Sequence, residues 1–203
     1  MEHIYFYKGD LPAKVKFEGS VAVDTETMGL NLYRDRLCLV QLGDGKGHAY
    51  LVQIEKDVEP VNLKKLFTDE RILKIFHFAR FDVAKIKHDL GVLVRPVYCT
   101  KIAHKLVRPS AASHSLKSLC QEMLGISLDK EEQQSDWGVE DLTAAQKKYA
   151  ANDVLYLHAL KGKLDELLER EERTELAEAC FDFIGTRAEL DLLGFDEPDI
   201  FQH

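Results

Sequence analysis

Two carboxylates stand two residues apart in a largely apolar stretch of the chain, VAVDTETMGL at residues 21–30. If this stretch is a β-strand, alternate residues point to the same face, so Asp24 and Glu26 lie side by side. Two buried like charges repel, and each is costly to desolvate. A divalent cation, a shared proton or an arginine partner would offset that cost. The alternative is that the strand ends at Val23 and both acids are solvated in a loop.

Two further motifs place acids on helices. In HFARFDVAKI, Asp82 falls in the first turn of a predicted helix, where a lone acid commonly serves only the helix dipole. In YAANDVLYL, Tyr149 and Asp153 are four residues apart and share a helix face, and the alternative is a simple surface hydrogen bond between them. Carboxylate oxygens suit Mg²⁺ and Mn²⁺, so four acids brought together would form a metal site.

In this order, the three motifs resemble those of the DEDD superfamily of 3′-to-5′ exonucleases, in the subgroup with a tyrosine in the third motif. Within it the chain is similar to ribonuclease D, including the segment SDWGVEDLTAAQKKYAANDVLYL. The resemblance implies a metal-dependent 3′-to-5′ exoribonuclease that releases nucleoside 5′-monophosphates. A DNA exonuclease of the same superfamily is one alternative, and a catalytically silent nucleic-acid-binding module on the same fold is another.

The resemblance also implies that the motif residues bind two divalent ions, Mg²⁺ or Mn²⁺, and it implies a role for each residue. Asp24 would bridge both ions, and Glu26 and Asp153 would complete the site on the side of the nucleophile. Asp82 would hold the second ion, largely through water. Tyr149 would hydrogen-bond the attacking water, either as a base or only as a positioning group.

Substrate contacts are predicted for residues that adjoin these motifs. Leu30 is expected to wedge against the last base, and Lys101, Lys105 and Arg108 to contact upstream phosphates, which would make binding salt-dependent. Trp137 either shields the mouth of the site, stacks on a base or packs in the core. The predicted substrate-contacting residues are Thr25, Met28, Gly29, Leu30, His77, Phe81, Lys101, Lys105, Arg108, Gln133 and Trp137.

The hydrophobic pattern predicts the elements that carry these residues. Three strands with short links indicate an antiparallel meander, and they span residues 20–25, 36–43 and 48–54. Alternating strands and helices follow, and only helices after that. One long helix is predicted after Thr143, and a second covers about 174–193. The fold class is therefore α/β, with a ribonuclease H-like mixed sheet of three antiparallel strands plus parallel strands, flanked by helices.

The 203 residues, 45% of them hydrophobic, suit a single 3′-to-5′ exonuclease domain over 1–203. Its core is expected at about 3–165 and a helical extension at about 166–203, without the C-terminal helical nucleic-acid-binding domain of full-length ribonuclease D. The apolar residues of the extension either pack on the chain's own domain or form a homodimer contact.

Charge and cysteine usage bear on partners and location. The net charge is −8, yet residues 71–120 carry ten basic and two acidic side chains, enough for a local phosphate-binding surface. The expected partners are RNA 3′ ends, single-stranded or tRNA-like, with DNA as the alternative. No apolar run has the length of a membrane span, no secretory signal is seen and the four cysteines are scattered, so a cytoplasmic protein without membrane contact is expected.

Overall fold

The computed structural model describes residues 3–128 and 135–201. They form a six-stranded mixed sheet flanked by helices, which confirms the predicted α/β, ribonuclease H-like fold class. The strands are β1 His3–Lys8, β2 Ser20–Thr27, β3 Leu37–Gly43, β4 His48–Gln53, β5 Leu73–Phe76 and β6 Val97–Cys99. The helices are α1 Val61–Thr68, α2 Ala79–Leu90, α3 Thr100–Val107, α4 Leu116–Leu119, α5 Ala144–Leu155, α6 Leu157–Arg170 and α7 Thr174–Leu192.

The sheet has the strand order β1-β4-β3-β2-β5-β6. Strands β2, β3 and β4 form the predicted antiparallel meander, and β3 is buried along its whole length. Strands β5 and β6 continue the sheet in parallel beyond β2. Strand β1, which was not predicted, pairs in parallel with β4 at the opposite edge.

The helices agree with the sequence pattern except in one place. Helix α2 ends at Gly91, whose φ of 72° lies in the left-handed region that glycine favours. Thr143 caps α5 and forms a capping box with Gln146. The prediction of a single long helix after Thr143 is wrong. The chain leaves regular helical geometry at Tyr156, with φ −105° and ψ −6°, and a separate helix, α6, begins at Leu157. The second predicted helix is α7.

Helix α7 packs on the rest of the domain through α2. Arg80 of α2 donates two hydrogen bonds of 2.7 Å to Asp191, and Phe181 and Ile184 are buried. In the two ranges that the structure describes, no helix combines the length and the apolar character needed to cross a bilayer.

Candidate active site

The acids of the first and third sequence motifs lie close together. Strand β2 carries Asp24 and Glu26, and α5 brings Asp153 next to them. Asp24, Glu26 and Asp153 each offer one carboxylate oxygen, and these atoms all lie within 4.8 Å of one another. Strand β2 continues through Thr27, so the alternative of a loop beginning after Val23 is excluded. The pair that the sequence sets two residues apart does share one face of a strand.

Asp82 joins these acids from the first turn of α2, which starts just after β5. Since β5 runs parallel to β2 and pairs with it, the start of this helix lies near the acids of β2. Asp82 is 5% exposed, and its Oδ1 accepts a 2.5 Å hydrogen bond from the hydroxyl of Thr25. An acid serving only the helix dipole needs neither this burial nor this partner, so the structure favours a place in the site.

Small residues allow α5 to come close enough for Asp153 to reach β2. A methyl group added to Gly43 would lie 2.8 Å from the carbonyl oxygen of Val154, so only glycine fits at this point of β3. Ala150 and Ala151 on the same helix are fully buried. The close packing of α5 on the central strands therefore sets the position of Asp153.

Gln41 is a buried polar residue in an otherwise apolar central strand, and it pairs with Asp24 in the β2–β3 register. Its amide nitrogen lies 3.4 Å from Asp24 Oδ2 and 3.5 Å from Glu26 Oε1. The amide thus offers a neutral donor to both carboxylates. Gln41 was not predicted as a site residue, although a lone polar residue in LCLVQLG was the available signal.

Burial and mutual repulsion raise the pKa of each acid. Burial raises the pKa of Asp24 well above its ordinary range, and the charges of Asp82, Asp153 and Glu26 add to the rise. The pKa of Glu26 is raised to about 9 by burial and by Asp153 and Asp82. Burial raises the pKa values of Asp82 and Asp153 to about 7, and hydrogen bonds to their side chains limit the rise.

The donor set fits divalent metal ions. Among residues 3–128 and 135–201, no lysine or arginine forms an ion pair with any of the four acids, which excludes the arginine alternative there. Hard carboxylate oxygens without a cationic partner suit Mg²⁺ or Mn²⁺. The raised pKa values mean that bound protons neutralise part of the charge of the acids in the metal-free protein, and a cation displaces these protons on binding.

Tyr149 lies one turn before Asp153 and forms a hydrogen bond with its carboxylate. Burial, together with the charges of Asp153, Glu26 and Asp24, raises the pKa of Tyr149 well above its ordinary value near 10. The phenol of the metal-free protein therefore keeps its proton at neutral pH, and its hydroxyl donates a hydrogen bond to the carboxylate of Asp153. In the metal-free protein the protonated hydroxyl can hold the Asp153 carboxylate and position a water.

The acids open into a pocket of about 490 Å³. Leu30 projects there with 84% of its surface exposed, as a wedge against a base requires. The His77 ring is neutral because burial lowers its pKa to about 3, and its Nδ1 lies 2.9 Å from the Thr100 hydroxyl. The pocket brings together five of the predicted substrate contacts, namely Thr25, Leu30, His77, Phe81 and Lys101.

Five predicted contacts do not line this pocket. Trp137 is 2% exposed and packs in a cluster with Leu39 and Leu51, as in the core-packing alternative. Lys105 lines a neighbouring groove, and Arg108 pairs with Glu122 at 3.7 Å. The other two are Met28 and Gly29, of which Met28 is exposed and Gly29 packs against Asp35.

Gln133 lies outside the described residues. The pocket wall also contains side chains that were not predicted. They come from the end of β2, from the start of α2 and from the segment around α4, and they are Thr27, Phe78, Ser115, Leu116, Lys117 and Leu128.

The fold and the acids together define a metal-dependent nuclease of the DEDD type. A family model described as 3′-5′ exonuclease matches residues 9–169, and the chain belongs to this family. Its resemblance to the nuclease part of ribonuclease D is confirmed, and a divalent metal is the cofactor of its acidic site.

Solved structures of one bacterial protein match along the whole chain. Brucella melitensis NrnC bound to pGG is 50% identical with a TM-score of 0.95, and each chain is covered to 100%. The same protein with bound Mg²⁺ is also 50% identical, has a TM-score of 0.93 and is covered to the same extent. The likeness therefore includes the C-terminal helices as well as the nuclease core.

Two curated relatives match over the nuclease part. DNA polymerase I of Aquifex aeolicus is 38% identical over 148 residues, which are 72% of this chain and 24% of the relative. Ribonuclease D of Bartonella henselae is 32% identical over 154 residues, 76% of this chain and 38% of the relative. The chain thus spans between about a quarter and two fifths of the length of these relatives.

Proposed function

We propose that this protein is a 3′-to-5′ exoribonuclease that hydrolyses short RNA chains from the 3′ end and releases nucleoside 5′-monophosphates. The observation that carries the proposal is the group of four carboxylates beside Tyr149 in an open pocket. Support for RNA comes from the ribonuclease D relative and from the full-length likeness to a nuclease solved with pGG.

The proposed role of each residue in the reaction follows from the position of its side chain. Two divalent ions at the acids would acidify a water and stabilise charge on the attacking and leaving oxygens. We assign Asp24, Glu26, Asp82 and Asp153 to hold them, and Gln41 orients the first two. The water oxygen attacks the last phosphodiester phosphorus, the bond to the upstream 3′-oxygen breaks, and that oxygen takes up a proton. Tyr149 keeps Asp153 in place and positions the water.

The pocket residues have matching roles toward substrate. Leu30 wedges against the terminal base, and neutral His77 and Phe81 contact the terminal nucleotides. Lys101 lines the pocket and supplies a positive charge for a phosphate. The hydroxyl and the backbone N–H of Thr25 both donate to Asp82, so the carbonyl oxygen of Thr25 is the better candidate to accept a hydrogen bond from the terminal 3′-hydroxyl.

DNA remains the competing substrate, since one curated relative is a DNA polymerase. The discriminating experiment compares initial rates on pGG and on its deoxy counterpart, with Mg²⁺ and with Mn²⁺. We expect pGG to be cleaved to the nucleoside 5′-monophosphate at least about tenfold faster, because a lost 2′-hydroxyl contact leaves a site donor or acceptor unpaired. Faster cleavage of the deoxy compound would contradict the proposal and support a DNA exonuclease instead.

A silent binding module predicts another result in this assay. Such a module would bind RNA without cleaving it, and it would have no need to hold two ions.

We propose also that the whole chain acts as one exonuclease domain in the cytoplasm, where its four free cysteines stay reduced. Processing of tRNA-like 3′ ends stays a prediction.

We propose further that the C-terminal helices form a homodimer contact. Leu176 and Phe183 on α7 are 54% and 38% exposed, on the side of the helix that does not pack on the core. Beyond α7, Leu193 and Phe201 are more than 70% exposed. The ring centroids of Phe183 and Phe201 lie 5.7 Å apart, and exposed apolar side chains in contact are typical of association surfaces. Light scattering of the pure protein at micromolar concentration should give twice the mass of one chain, and the mass of one chain would contradict the contact.

A further inference from the structure

Phe78 is an exposed aromatic residue with a strained backbone on the wall of the active-site pocket. Its φ of 66° and ψ of 49° lie in the left-handed region, which a bulky side chain rarely adopts. The ring is 46% exposed, and it lines both the pocket of the acids and the neighbouring groove beside α3 and α7. Such strain persists only where the surrounding structure imposes it, and it concentrates at functional sites.

The partner of this ring is a cation. Lys101 Nζ lies 3.9 Å from the centroid of the Phe78 ring, in a cation–π contact, and Lys101 lines the same pocket. The ammonium group lies over one face of the ring, so a base would stack on the opposite face while the cation binds a phosphate.

The position of Phe78 indicates which nucleotide it meets. The bond to be cut must lie at the acids, so the 3′-terminal nucleotide occupies the space between them and Leu30. Phe78 lies at the border of the pocket, where the adjoining groove begins. A chain leaving the acids toward that border brings its next base to the ring.

We propose that Phe78 is the stacking platform for the base on the 5′ side of the scissile phosphate, with Lys101 contacting the phosphate of the same nucleotide. This inference rests on the proposed function and deepens it, because it makes two nucleotides the smallest chain that fills the site. The left-handed backbone presents the ring to solvent, so its strain serves substrate binding.

The backbone strain permits a sharp test. Asparagine tolerates the left-handed region better than phenylalanine, so Phe78→Asn removes the ring without harming the backbone. We expect its melting temperature to equal or exceed that of the wild type, while KM for pGG rises about tenfold, the size of one lost base stack. Phe78→Trp should restore KM. The matched control is Phe195→Asn, since Phe195 is also 46% exposed and does not line the pocket.

Fluorescence reports the stacking directly and does not require turnover. The probes are the two dinucleotides with 2-aminopurine at the 5′ or at the 3′ position, mixed with protein in Ca²⁺, which takes oxygen ligands as Mg²⁺ does. Stacking on Phe78 should quench the 5′ probe in the wild type and in Phe78→Trp, and the quenching should disappear in Phe78→Asn.

The outcomes separate the two proposals. If the wild type cleaves and binds pGG but Phe78→Asn leaves KM and the quenching unchanged, the stacking role is wrong and the proposed function stands. A loss of quenching at the 3′ probe alone would place the ring at the terminal base and also contradict the inference. If the wild type neither binds nor cleaves either dinucleotide, both proposals fall.

Discussion

Replacing Asp24 with asparagine should lower exonuclease turnover at least about 1,000-fold, which corresponds to a barrier higher by about 4 kcal/mol. Asp24 lies at the centre of the acids, next to Glu26 on β2 and within reach of the amide of Gln41. Asparagine has the same shape but carries no charge, so it weakens the hold on cations that supply most of the electrostatic stabilisation. Turnover on pGG and Mn²⁺ binding by calorimetry should both fall.

The same substitution should make the metal-free protein more stable. The folded-state pKa values of Glu26, Asp82 and Asp153 are about 9, 7 and 7, above those of unfolded chains. A raised carboxyl pKa stabilises the fold at pH below the unfolded value, and this contribution is lost as pH rises through the folded value. In EDTA the wild type therefore loses stability from about pH 4 to pH 9, and Asp24→Asn relieves the repulsion that causes the loss.

Melting temperatures in EDTA at pH 5.5 and pH 8.5 measure this effect. Asp24→Asn should melt at least about 3 °C above the wild type at pH 8.5, and the gap should narrow at pH 5.5. Mg²⁺ should stabilise the wild type more than the variant. Asp57→Asn, on an exposed loop, serves as the matched control and should change none of these values. A less stable Asp24→Asn protein in EDTA would contradict the charge argument.

Tyr149→Phe should lower turnover about 100-fold and leave Mn²⁺ binding nearly unchanged. The phenol keeps its proton, since burial and three nearby acids raise its pKa, and it donates to Asp153. Removing the hydroxyl frees the carboxylate and the water from that constraint but takes no ligand from the cations. The measurements are single-turnover rates on pGG and calorimetric titration with Mn²⁺.

A second tyrosine provides the control for this variant. Tyr98 is also a buried phenol near a carboxylate, that of Asp165, but it lies away from the active-site pocket. Tyr98→Phe should leave the rate of the chemical step unaltered. Equal losses of turnover and metal binding in Tyr149→Phe would refute a separate role for the hydroxyl.

The parts of the fold that local periodicity determines could be predicted from the sequence. Each strand of the meander and helix α2 with its glycine end follow from patterns that span fewer than fifteen residues. Strand β1 could not, because it is a largely exposed edge strand that pairs with β4, about forty residues away. The break at Tyr156 was hidden because the apolar spacing continues across it.

The site was predictable to the extent that its motifs are contiguous in sequence. Asp24, Glu26, Asp82, Tyr149 and Asp153 do come together as expected. Residues that tertiary structure brings to the site were missed. Gln41 lies beside Asp24 and Glu26 because of the register of β3 on β2, and Phe78 lines the pocket where its backbone turns left-handed between a strand and a helix. Neither property is visible in a periodic pattern.

The most direct test of the account uses a 5′-labelled single-stranded RNA incubated with the protein and Mg²⁺ or Mn²⁺. The controls are EDTA, Asp24→Asn and the DNA of the same sequence. We predict a ladder of labelled products that shortens from the 3′ end of the RNA. The ladder should be absent in EDTA and with the Asp24→Asn protein, and it should be weaker on DNA. A ladder that persists in EDTA or in Asp24→Asn, or no cleavage of RNA by a protein that binds Mn²⁺ normally, would contradict the account.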